Sequence, residues 1–512
     1  MSQTTGATSD PRITDAGVDE TRDGWNSGTQ KMLQRAGSVS LVVMLIAIFA
    51  GTNYFKHETY ADSYEVWNTF HYYLGAKYSP EVGYFSLYTC ALEADRDSAN
   101  YWIRVEGARD MGTYRIVPRY SLPPCPRANF TPERWSKFTQ DVEWFAIHGR
   151  PYYFARLFAD KGFNPPPSWV AVARPLAQAV PISQYRLATD IIFNLDVIAI
   201  LGGVLIIWWS SGGTVALLTG ALTVFYFGNF GYMGGNFLQY FWFPLVVVAI
   251  ILWARNKPGY SGAVLGVATG LQVFPLFFGL PVIARGIIGF LRHRKESDWR
   301  AHFRFNGALV AVVLASLLVG SLAGGGTQAW GEWQKKITIH RNYLRGEIFD
   351  IGLANLTATA VSTNHRSATT YQDDVPNTLM RLTALQNNIL LYYILWVGFL
   401  AMWLLAVVTA PASDLFGYGL LLMYAAVSSS PYYYLSLALI PFIFWKSSRA
   451  LRLYAIWGTV ALFAGHIIYF RDNYVSWRYL PHLLSQCSIA LFLLGLAAIS
   501  AFSRQATDAP NR

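Results

Sequence analysis

The sequence predicts an all-α polytopic membrane protein, and three observations carry that prediction. Of 512 residues, 53% are hydrophobic and only 14% are charged, against about 25% charged in ordinary soluble domains. Apolar runs of roughly 17 to 25 residues, enough to span a bilayer as a helix, recur along the chain. The net charge of +10 collects in short loops between those runs, as the positive-inside rule asks of cytoplasmic loops. That distribution argues against nucleic-acid binding, which a basic soluble domain would suggest. The expected architecture is a bundle of about twelve transmembrane helices with a long helical first extracytoplasmic loop.

Taken in order, residues 1–36 are polar and rich in Thr, Gly and Asp. They lack the apolar core of a signal peptide and are expected to form a disordered cytoplasmic tail. The first span, 37–55, follows Lys31 and Arg35, which orient its N-terminus inwards. Residues 56–186 form the long outer loop. Within it, TPERWSKFTQDVEWF (131–145) opens with Thr131 as an N-cap candidate and Pro132 at the first helical position. Trp135, Phe138, Val142 and Phe145 then share one helical face, packed on the loop or lying at the membrane interface, where aromatics are favoured. Cys90 and Cys125 both lie in this loop. On an oxidising outer face they could pair, and the sequence leaves open whether their geometry permits it.

Further spans are expected at 187–209, 213–229, 237–254, 260–274, 275–291, 305–322, 387–408, 415–430, 431–445, 453–470 and 481–502. They form two bundles, 187–322 and 387–502, separated by a second outer loop, 323–386, and followed by a cytoplasmic tail, 503–512. NPPPSWVAVARPLAQAVP (164–181) is ambiguous, because it carries Arg174 and is interrupted by prolines. Charge decides. If this segment does not cross, RNK (255–257), RHRKESDWRAHFR (292–304) and KSSRALR (446–452) all fall in the cytoplasm; if it crosses, all three land outside. It is therefore expected to be a short interfacial or re-entrant helix, with both termini cytoplasmic. Irregular backbone at membrane depth is tolerated where it lines a protein cavity.

HETYADSYEVWNTFHYYLGAKY (57–78) places Asp62, Glu65, His71 and Lys77 among aromatics just past the first span. A carboxylate there reaches a lipid-borne substrate and still meets a soluble acceptor. Its chemical use would be as general base on a sugar hydroxyl; Asp62 is the first candidate and Glu65, one helical turn away, its competitor. The plainer reading of either is a solvated or helix-capping acid. ADRD (94–97) contains a D-x-D, which reads as a metal-bound sugar-phosphate site or, with Arg96 and Arg104 nearby, as an ion-paired turn. No Cys/His ligand cluster, P-loop or nucleophile-elbow pattern occurs. No cofactor is expected, a divalent metal being the open alternative.

KKITIHRNYLRGEIFDIGLANL (335–356) sets Lys335, Lys336, His340, Arg341 and Arg345 on an outside loop, where the positive-inside rule disfavours them. A phosphate ligand would explain the cluster through charge-assisted hydrogen bonds; anionic headgroups would attract it too. Asp196 falls inside the second span, where acids are costly and often functional, or else pair with a nearby polar side chain. Gly234, Gly235, Asn236 and Gln239 line the cavity or simply make an interhelical turn.

Several of these stretches together resemble the GT-C superfamily of membrane glycosyltransferases. They are the acid past the first span, the long aromatic outer loop, NPPPSWVAVARPLAQAVP, and GLQVFPLFFGLP (270–281). Within it the resemblance is to the polyprenyl-phosphate-mannose-dependent alpha-mannosyltransferase family 87 group, whose late paired span SSSPYYYLSLALIP (428–441) resembles. The resemblance runs from about residue 37 to 450 and rests on hydropathy and short patterns. It implies a hexosyltransferase moving a sugar from a polyprenyl-phosphate donor, not a nucleotide sugar, to a glycolipid or glycan acceptor on the outer face. The group's first-loop base maps to Asp62, with Glu65 in reserve, and its basic outer loop to His340 with Arg341 nearby. His71, Lys77, Arg345, Asn236 and Gln272 complete the expected substrate-binding set. Where the group often has Lys before the proline of the paired short spans, this chain has Gln272. HYYLGAKYSPEVGYFSLY (71–88) looks more like a bacterial branch than like the mannosyltransferases themselves, so the sugar stays open. The alternative is a transporter or flippase of lipid-linked sugars, with an intramembrane acid such as Asp196.

Overall fold

The computed structural model describes residues 27–51, 58–59, 63–64, 66–149, 157–227, 236–292, 298–347, 350, 352–362, 374–429, 431–471, 494–496 and 498–499. These residues are mostly helical. Two short antiparallel hairpins are additional to the all-α expectation: Glu58–Thr59 with Ser63–Tyr64, and Gly107–Arg109 with Ile116–Pro118. Among the described residues, three helices are long and apolar enough to cross a membrane: Arg186–Ser211, Trp299–Ala323 and Ile389–Thr409. Gly213–Phe227, Trp242–Ala254, Pro258–Leu271, Leu276–Arg292 and Leu415–Ala426 are shorter. The segment expected to span at 431–445 is a 3-10 helix, Pro431–Leu439, followed by one turn, Ile440–Ile443. Its prolines explain the break, since Pro441 has no N–H to continue the ladder. The last expected span, 481–502, lies largely outside the described residues.

The first helix begins at Ser27, inside the stretch expected to be tail. Tertiary contacts account for the extension. Thr214 Oγ1 donates to the Leu33 carbonyl at 3.1 Å, and the Gln34 Oε1 accepts the Thr214 N–H at 3.3 Å. Gly37 allows that approach: a Cβ there would meet Thr214 N at 2.6 Å.

Pro167–Ala179 has 13 residues, about 20 Å of helix against roughly 30 Å of hydrocarbon. It docks on Trp299–Ala323 and Pro258–Leu271, where Gly320 leaves room for the Ser168 backbone and Trp169 Nε1 donates to the Leu238 carbonyl at 3.0 Å.

Most of the described residues between 66 and 182 fold around a core of their own. Phe70 packs edge-on against Trp102, Phe145 and Phe158. Thr131 caps the Pro132–His148 helix by accepting the Arg134 N–H at 3.2 Å, and Trp135, Phe138, Val142 and Phe145 all turn into the core. Cys90 and Cys125 form a disulfide that ties the Leu87–Asp97 helix to the turn before Arg127. Two buried ion pairs brace the unit, Lys77 with Asp141 at 2.7 Å and Arg134 with Glu81 at 2.6 Å.

Candidate functional site

Three pieces of chain, far apart in sequence, build the site. The Gly326–Leu344 helix opens after Gly325, whose φ of +114° suits glycine. Lys336, His340 and Tyr343 fall on one face of it and turn toward the outer-loop unit, while Lys335 and Arg341 stay exposed. The Gly107–Arg109 and Ile116–Pro118 hairpin supplies Arg109 and, in its turn, Tyr114. Tyr114 has a φ of +61°, an uncommon conformation for a bulky residue. It is held there by Arg109 Nη1, which donates to the Tyr114 carbonyl at 2.6 Å, and by its own N–H to the Asp110 carbonyl at 2.7 Å. The third piece is the turn from Leu157 to Asn164, which carries Asp160 and Lys161. Gly162 closes it with a φ of +70°, against Met111.

The three pieces meet at the Tyr114 hydroxyl. Lys336 is fully buried. Its Nζ donates to Tyr114 Oη at 2.8 Å and to the Lys161 carbonyl at 2.6 Å. His340 Nδ1 lies 2.9 Å from the same Oη. Arg109, also buried, donates through Nε to the Ala159 and Asp160 carbonyls at 2.9 and 3.1 Å, with its guanidinium 4.9 Å from the Tyr343 ring centre. Lys161 Nζ is 3.4 Å from Glu347.

Positive groups are crowded here with little water to screen them. Burial holds the Lys336 ammonium well below its usual pKa; Arg109 adds to the effect and Asp160 opposes it. Burial and then Lys336, Lys161 and Arg109 hold His340 well below the ordinary imidazole value. An anion entering such a cluster would take up charge-assisted hydrogen bonds and favour the protonated forms of Lys336 and His340.

His71 joins the cluster, as does His340. His71 lies in the π-helical turn Phe70–Leu74, a local bulge that often marks functional positions. Its Nδ1 is 2.8 Å from the Trp67 carbonyl, so that nitrogen carries the proton. Its Nε2 then accepts from Tyr88 Oη at 2.6 Å. Asp160 Oδ2 is 3.7 Å from Nδ1. Burial lowers the His71 pKa, with Asp160 as the main opposing influence. Tyr72, next in the turn, is pushed above the usual phenol range by burial and then by Tyr433, Asp160 and Asp196.

Other expected residues go elsewhere. Lys77 is committed to Asp141, which also accepts from Tyr78 Oη and Ser183 Oγ, both at 2.7 Å. Arg341 is exposed and Arg345 half-buried at the helix end. Asp196 accepts the backbone N–H groups of Gln239 and Tyr240 at 3.0 and 2.6 Å, so its partner is main chain and not a side chain. Gln272 donates to the Gln239 carbonyl at 2.8 Å, and Asn236 is buried at the start of that segment. Asp62 and Glu65 lie outside the described residues. In ADRD, Asp95 accepts the N–H groups of Tyr101 and Trp102, and Asp97 pairs with Arg127 at 2.6 Å. Among the described residues, no three His, Cys, Asp or Glu side chains are grouped to hold a metal ion.

Arg109, Tyr114, Asp160 and Lys161 went unmarked in the sequence. The one local sign was ADKGFNPPP, where two charges precede a glycine and a proline run. No family model, curated protein or solved structure matches the chain.

Proposed function

We propose that this chain is an integral-membrane glycosyltransferase of GT-C type. It moves a sugar, mannose or another hexose or pentose, from a polyprenyl-phosphate donor to a glycolipid or glycan acceptor on the outer face. The observation that carries this reading is the meeting of Lys336 Nζ and His340 Nδ1 at Tyr114 Oη, with the buried Arg109 guanidinium over the Tyr114 ring at 5.4 Å. Cations in a desolvated pocket suit the phosphate of a lipid donor and the charge it gains on leaving.

The bundle crosses the membrane about twelve times, with both termini cytoplasmic. The three long apolar helices support that arrangement. The Cys90–Cys125 disulfide fits an oxidising outer compartment. In the reaction, a first-loop acid takes the proton of the acceptor hydroxyl. The oxygen attacks the anomeric carbon, and the carbon–oxygen bond to phosphate breaks with its electron pair leaving on polyprenyl phosphate. Asp62 and Glu65 are the expected bases from the sequence. The transporter alternative is weakened by Asp196, whose carboxylate is engaged in fixing backbone.

The test follows labelled sugar from polyprenyl-phosphate-mannose, and from other polyprenyl-phosphate sugars, into a crude membrane acceptor pool. Wild type should transfer, and Lys336→Met should lose at least about 100-fold, the size seen when one such stabilising donor is removed. Absence of transfer from every donor would sink the reading and send the question to lipid-translocation assays.

A further inference from the structure

We propose that Asp160 is the carboxylate that takes the acceptor's hydroxyl proton, with His71 as its positioning residue; this rests on the glycosyl-transfer reading above. The argument begins with how the other buried acids of the outer-loop unit are used. Asp141 is gripped by Lys77 at 2.7 Å and Glu81 by Arg134 at 2.6 Å. Each is a counter-ion with a cation in direct contact. Asp160 opposes the lowering of the His71 and Lys336 pKa values. Yet among the described residues its carboxylate pairs with none of Arg109, Lys161 or Lys336. Its carboxylate faces the His71 ring, Oδ2 to Nδ1 at 3.7 Å, and its side chain keeps 18% exposure where His71 keeps 1%. Arg109 and Lys336 nearby are buried and donate to backbone carbonyls and Tyr114, while Lys161 pairs with Glu347.

Its position is also fixed. Arg109 holds the carbonyls on both sides of the Ala159–Asp160 peptide. The Asp160 N–H reaches the Leu157 carbonyl at 3.2 Å. The next carbonyl, that of Lys161, receives Lys336. His71 is itself immobilised by Trp67 and Tyr88 and stands behind the carboxylate. A proton acceptor on a rigid turn beside a phosphate site is the arrangement displacement at a lipid-phosphate sugar requires. The acceptor O–H proton passes to Asp160 as the new carbon–oxygen bond forms, and the phosphate leaves toward Lys336 and His340 with the bonding pair.

The experiment compares wild type, Asp160→Asn and Asp160→Glu in nanodiscs. It reads kcat, donor KM and thermal protection by polyprenyl phosphate. Asp160→Asn should lose roughly 10²- to 10⁴-fold in kcat while keeping donor KM. Protection by polyprenyl phosphate should be undiminished or stronger, since a negative charge beside the cations is gone. Asp160→Glu should recover part of the rate. Turnover of Asp160→Asn within about tenfold of wild type overturns the proposal. So does loss of protection together with turnover, which would make Asp160 a counter-ion only. If Asp160→Asn does not fold, Asp160→Glu decides: a fall in kcat at constant KM supports the proposal, and an unchanged kcat overturns it. Wild type that is protected by polyprenyl phosphate yet transfers no sugar would overturn the glycosyl-transfer reading itself, a result distinct from an active enzyme indifferent to Asp160.

Discussion

Lys336 and Tyr114 meet at 2.8 Å, Nζ to Oη, across 222 residues of chain. The contact joins the Gly326–Leu344 helix to the turn of the Gly107–Arg109 and Ile116–Pro118 hairpin. It also buries the Lys336 amine fully beside a phenol and a carbonyl, with no carboxylate in ion-pair contact among the described residues. Burial of that kind is costly for stability, and proteins keep such arrangements mainly where a ligand uses them.

Lys336→Met should therefore separate folding from binding. Methionine is close in volume and carries no charge to desolvate. Thermal stability of the ligand-free protein is expected to hold or to rise by about 1–4 kcal/mol, as when buried ions are replaced by well-packed apolar residues. Protection by polyprenyl phosphate should fall by tenfold or more in apparent affinity. A variant that melts far below wild type would show that Lys336 is structural.

The pH dependence of stability has a definite sign. His71 and His340 both have lowered pKa values in the folded protein. Unfolded, they take up protons as pH falls through about 6.5. The unfolded chain then binds more protons than the folded one, so acidification from pH 7 destabilises the fold. Lys336, lowered well below its usual value, adds a slope of the same sign on the alkaline side, up to about 10.4. Melting temperatures of ligand-free protein in detergent should rise with pH across both windows. Polyprenyl phosphate should flatten the slope by holding protons on His340 and Lys336. A melting temperature that climbs on acidification below pH 7, and still climbs in His340→Asn, would contradict this assignment.

Asp141→Asn tests the opposite kind of lysine. Lys77 would be left buried without its carboxylate, and breaking such a pair costs about 3–5 kcal/mol. The expected result is a large drop in thermal stability with donor KM preserved in whatever fraction folds. A rise in donor KM without a stability change would return Lys77 to the substrate site.

Local features were legible in the sequence because they depend on neighbours along the chain. Thr131 and Pro132 announce a helix start, and Trp135, Phe138, Val142 and Phe145 its buried face, through capping and a 3.6-residue period alone. The apolar runs were equally plain, and so was the basic stretch holding Lys336 and His340. The helix start at Ser27 was not, because it depends on Thr214 gripping Leu33 and Gln34 from 181 and 180 residues away.

By itself, then, the sequence determined a helical chain with apolar helices long enough to cross a membrane, the buried aromatic face of the Pro132–His148 helix and the basic stretch holding Lys336 and His340. Only the tertiary structure decided which charged residues act together. Lys77 lies between Ala76 and Tyr78, Lys336 between Lys335 and Ile337, and both are buried. The fold brings Asp141 against the first and, among the described residues, Tyr114 Oη and the Lys161 carbonyl against the second. In a low-dielectric interior that difference governs what each lysine can do, since an ammonium with a carboxylate in contact is satisfied and one without remains open to an anion. No spacing rule along the chain encodes it.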